Sequence, residues 1–150
     1  MAETIETIEI AKAIKAGLDT ALASAYPVYA SGVPTDADGN LDANAAENIH
    51  KLPSVVITMQ DCMPMGYRSV MRQYPGSIRA ATHFGDDPFQ VDLYTLTRKV
   101  STWLASGPTL TLTLRKADSV YVEQAPDIGT DEQAQYTQWA ITVHTGPAAA

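Results

Sequence analysis

The stretch THFGDDPFQVDLYTLTRKVSTWLASGP, Thr82 to Pro108, carries both ends of a helix in its text and constrains what surrounds it. Asp87 suits an N-cap, Pro88 the first helical position, and Gln90 stands three residues after the cap, as a capping box requires. Phe89, Leu93, Leu96, Val100 and Trp103 recur at steps of four and three, which lays them along one helical face. Arg98 and Lys99 sit toward the C-terminal end, where cations complement the dipole, and Gly107-Pro108 stops the chain. A helix of this kind needs a surface on which to bury its stripe, and strand-like text lies on both sides of it.

Upstream, residues 4 to 24 read as an amphipathic helix. Ile5, Ile8, Ile14, Leu18, Ala21 and Leu22 mark its buried face, and Glu3, Glu6 and Glu9 favour its first turns. Tyr26 to Tyr29 suits an edge strand that tolerates Pro27. Residues 31 to 51, rich in Gly, Asp, Asn and Ala, read as a surface loop or excursion. Pro53 to Met59 is a β-branched strand, Tyr67 to Met71 offers a second, and Ser77 to Phe84 a third that leads directly into the central helix.

Downstream, Thr109 to Leu114 alternates threonine with leucine, and Ser119 to Glu123 follows a turn at Lys116–Asp118, which predicts a hairpin. A loop from Gln124 to Glu132 then precedes a long strand from about Gln133 to His144, and residues 146 to 150 read as a frayed tail. The expected fold is α+β: a mainly antiparallel sheet with an N-terminal helix and a central helix packed on one face, in the order helix–strands–helix–strands. One domain spans residues 1–150, a length at which a real core needs no staples.

The net charge of −7 argues against a surface that binds nucleic acid as a whole, because phosphate neutralisation requires clustered Lys and Arg. The charge is uneven. Residues 68 to 116 hold seven basic side chains (Arg68, Arg72, Arg79, Arg98, Lys99, Arg115, Lys116) against three acids (Asp86, Asp87, Asp92), so the middle is mildly basic between acidic ends. Charged residues make up only 18 % of the chain, a composition that suits partial coverage by another subunit and equally a surface solvated by Thr, Ser, Gln and Asn. Cys62 has no second cysteine to pair with, and the first residues carry acids where a signal peptide has bases. No apolar run approaches membrane-spanning length, so the expectation is a protein made in a cytoplasm.

Three groups of residues invite chemistry. Asp36, Asp38, Asn40, Asp42 and Glu47 stand at positions one, three, five, seven and twelve of an EF-hand-like loop, an oxygen set that suits calcium. Leu41 occupies the position where the sharp turn needs glycine, and Pro34 opposes a helix leading in, so a solvated turn is the expectation and no metal or cofactor is assigned. His83 beside Asp86 and Asp87 would make an acid–base pair for a small α+β enzyme, but both carboxylates have ready work at the helix N-terminus. No nucleophile elbow, dinucleotide fingerprint or Walker A loop occurs, and no catalytic residue is assigned. Met63, Met65, Tyr67, Met71 and Tyr74 fall in an irregular, methionine-rich segment that suits either an adaptable contact surface or core filling under a loop. The Thr109–Thr113 face and the edge of the last strand are further contact candidates.

Four features together resemble the tail terminator and neck (tail completion) proteins of long-tailed bacteriophages. They are the amphipathic N-terminal helix, the strand Pro53-Ser54-Val55-Val56-Ile57, the run Ile78 to Phe84 passing through Gly85-Asp86-Asp87-Pro88 into a helix ending Val100-Ser101-Thr102-Trp103-Leu104, and the long strand Gln135 to Val143. The likeness is one of element order over most of the chain, and the strand–acidic turn–helix junction is its nearest approach to a motif. It implies a structural virion protein and no catalysis: a homo-hexameric ring that caps the tail tube, meets the tube protein on one side and head-side connector proteins on the other, and lets DNA through its lumen unread. A head-side neck adaptor, or head completion protein, shares the same texture. The implied location is the virion neck, with assembly in the host cytoplasm. An acidic chain suits a lumen that must not hold phosphate, and ring closure requires a heterologous interface. The excursion Ser31–Lys51 departs from the plainer pattern of that family.

Overall fold

The computed structural model describes residues 6–23, 25–29, 53–60, 63–64, 72–83, 85, 87, 89–113, 115–122, 125–130 and 134–148. In chain order these form α1 (Glu6–Ala21), β1 (Val28–Tyr29), β2 (Ser54–Met59), β3 (Met63–Pro64), β4 (Arg72–His83), α2 (Val91–Ala105), β5 (Arg115–Val122), β6 (Asp127–Thr130) and β7 (Ala134–Ala148). The fold is α+β. The described strands make one sheet in the order β1-β2-β4-β7-β5, with β3 paired to β4 and β6 paired to β7. Every pairing is antiparallel except β1 with β2.

The two longest strands form the spine. β4 and β7 pair from Arg72↔Thr145 to His83↔Ala134 without a register shift. Residues 135, 137, 139, 141, 143 and 145 of β7 are all buried, and they share one face of the sheet. On that face Ile78 and Ala80 of β4, Val55 and Ile57 of β2, and Trp139, Ile141 and Val143 of β7 meet Ile10, Ile14 and Leu18 of the first helix, Leu22 just past its end, and Leu96, Val100 and Leu104 of the second in one apolar cluster. α1 lies over β1 and β2, and α2 over β4 and β7. At about 2 kcal/mol for each large aliphatic side chain taken from water, the stripe outweighs the few tenths of a kcal/mol per residue by which isoleucine falls short of alanine in helix propensity.

Pro75 in the middle of β4 would ordinarily break a central strand. Its carbonyl accepts the Gln60 amide at 2.8 Å, so its missing N–H faces the junction where β2 ends and β3 begins. The ladder there is already interrupted. Beside it Gly76 crosses β2 so closely that a Cβ would stand 2.6 Å from the Thr58 carbonyl oxygen. These two residues read as punctuation in the sequence, and β4 accordingly begins at Arg72 and not at Ser77.

Other expectations are corrected in the same way. The α1 stripe buries Ile10, Ile14, Leu18 and Leu22, while Ile8 stands 48 % exposed on another flank. Arg98 and Lys99 lie in mid-helix, because α2 continues to Ala105 and its last turn holds no basic residue. The end itself is as expected: Gly107, at φ 65, lets its amide reach the Leu104 carbonyl at 3.2 Å. The run from Thr109 to Thr113 meets β5 only at its start, where Thr109 makes a single bridge and the Pro108 carbonyl accepts the Val120 amide at 3.2 Å; residues 109–113 are not a strand of a hairpin, and Lys116–Asp118 lies inside β5. The alternation is satisfied by an irregular extended run that buries Leu110 and half-buries Leu112. Glu9 of α1 takes the place of a strand neighbour by accepting the amide of Thr113 and, at 2.9 Å, its hydroxyl. The segment expected as a loop after Gln124 contains β6, and β7 runs on through residues 146–148 of the expected tail.

Candidate functional site

The junction between β4 and α2 is where the sequence concentrates its polar signals, and the structure makes it a buried scaffold. Asp87 is buried, and its carboxylate accepts the amides of Asp92 at 3.1 Å and Leu93 at 3.0 Å, the donors of the first helical turn. It does so across a turn closed by the Gln90 amide on the Asp87 carbonyl at 3.0 Å. Gln90 adopts the left-handed conformation, φ 59 and ψ 29, and α2 begins one residue later.

Asp87 therefore caps the helix, as expected, but from further upstream, and the capping box is not made. The Gln90 side chain instead donates to Gln135 Oε1 at 3.1 Å. Phe89 falls in the turn before the helix, outside the buried stripe. Burial works to raise the Asp87 pKa, and it is outweighed by the backbone donors of Leu93 and Asp92, the Thr82 hydroxyl and the Val91 amide, which together hold the group below its ordinary value.

Gln135 ties the scaffold together. Its Nε2 donates to Thr82 Oγ1 at 3.0 Å and to the Asp87 carbonyl at 2.8 Å, while its Oε1 accepts from Gln90 Nε2. Both Gln135 and Thr82 are buried, so the network links β7, β4 and the start of α2 inside the protein. A turn of helix further on, Thr97 Oγ1 donates to the Leu93 carbonyl at 2.7 Å and lies 3.0 Å from Thr137 Oγ1 of β7.

His83 follows Thr82 in the strand, and alternation turns its side chain to the opposite face from the Asp87 scaffold. Its Nδ1 accepts the Gly85 amide at 3.0 Å. The arrangement gives Asp87 and His83 separate structural tasks, and Asp86 lies outside the described residues. The calcium-loop candidates Asp36, Asp38, Asn40, Asp42 and Glu47 also lie outside them, as do Met65, Tyr67 and Met71 and the strand expected over 67–71. Met63 pairs with Gln73 in the β3–β4 ladder. Tyr74 is fully buried in the core, where the core-filling alternative puts it. Among the described residues no group of three His, Cys, Asp or Glu is placed to hold a metal, and no helix is long and apolar enough to cross a membrane.

On the face of the sheet away from α1 and α2, Arg79 stacks over the Tyr136 ring at 4.0 Å and donates from Nε to Gln138 Oε1 at 2.8 Å. Tyr136 in turn leans across β6, where a Cβ on Gly129 would stand 2.7 Å from its hydroxyl oxygen. This close approach is what a glycine in an edge strand permits.

Around the start of α2 and on β6 several large apolar side chains stand exposed. Phe89 is 85 % exposed, Ile128 71 %, Val91 64 % and Tyr94 58 %. Gln90 touches Gln135, the partner of Thr130, and Thr97 touches Thr137, the partner of Ile128. Tyr94, between Gln90 and Thr97, is thus on the flank of α2 that overlooks β6. The available signal was that Val91 and Tyr94 are large apolar residues off the buried stripe. No family model matches the chain and no curated protein is found similar to it.

Proposed function

We propose that this protein is a structural component of a phage neck: a tail terminator ring that caps the tail tube and joins it to the head. The observation that carries the reading is the order in which α1, β2, β4 with its acidic turn and α2, and the long β7 follow one another on one antiparallel sheet. These are the elements on which the resemblance rests. The work that Asp87 does in capping α2 supports a structural role for the junction, and the exposed apolar side chains of Phe89, Val91, Tyr94 and Ile128 support a protein that is completed by assembly.

In this role the protein performs no chemistry. Subunits form a six-fold ring in the virion neck after assembly in the host cytoplasm, one side meets the tail tube protein, and the other meets head-side connector proteins. DNA crosses the lumen without being read, which a net charge of −7 favours because phosphate finds little to hold it. Deleting the coding sequence from the genome that carries it tests the role. Filled heads accompanied by unjoined tails of uncontrolled length are expected. Tails of normal length with defective heads would move the role to a head-side adaptor, and intact infectious particles would contradict both.

A further inference from the structure

We draw no further inference here: the strongest candidate, the surface patch of exposed apolar side chains at Phe89, Val91 and Tyr94 around the start of α2 and Ile128 on β6, carries none because nothing in the structure shows what covers it.

Discussion

Trp103 and Gly17 are fitted to each other: a Cβ added to Gly17 would lie 2.7 Å from Cζ2 of the indole. This is the place where α1 and α2 meet over the sheet, and it sets how closely the two helices approach. Gly17→Ala would gain about 1 kcal/mol from helix propensity and lose about 2 kcal/mol from overpacking against a rigid ring. We expect a net loss near 1 kcal/mol, seen as a lower thermal midpoint. An unchanged or raised midpoint would show that the helices can separate freely.

The Asp87 carboxylate should contribute to stability in a way that pH reveals. Its folded pKa lies below the ordinary value of 3.8, so the contribution is complete above the unfolded pKa and is lost as pH falls through the lower folded value. Asp87→Asn should cost about 2 kcal/mol at neutral pH and flatten the acid limb of the stability profile. Urea titrations from neutral pH down to strongly acidic pH check both effects. An unaltered acid limb in the variant would remove Asp87 from its place as the principal cap.

This junction also shows how far the sequence could be read. Asp87 was legible as a cap because Asp before an apolar-periodic run has few other tasks, and the strand before it and the stripe after it followed from periodicity. The geometry of the turn was not legible, because a left-handed glutamine at position 90 is a tertiary outcome held by Gln135, 45 residues away. The same holds for β6. Its Asp-Ile-Gly-Thr text favours a turn, and only Tyr136 lying over Gly129 and the ladder to β7 make it a strand. The run from Thr109 to Thr113 failed in the other direction: period two specifies an extended chain but not its partners, which are β5 at Thr109 and Glu9 at Thr113.

Thr145 supplies a prediction of opposite sign. It is fully buried on the helix-facing side of β7, and its hydroxyl has no hydrogen-bond partner among the described residues. Thr145→Val keeps the shape and removes a desolvated polar atom, so a gain of about 1 kcal/mol is expected. Chemical denaturation measures it. A loss of stability would mean that the hydroxyl is engaged in solution.

Gly129→Ala should act through Tyr136. The added methyl displaces a ring over which Arg79 is stacked, at a cost of about 1 kcal/mol. Amide exchange in Asp127–Thr130 should quicken relative to the rest of β7's neighbours, because β6 depends on that lateral contact. Exchange that remains unchanged would show that the ladder alone secures β6.

The proposed role as a neck ring is tested most directly by the place of this protein in the particle. Virions assembled with an affinity-tagged copy of the chain and imaged by electron microscopy with a gold-labelled tag should carry label at the head–tail junction and at the head-proximal end of unjoined tails. Label spread along the tube, confined to heads, or absent from purified particles would contradict it.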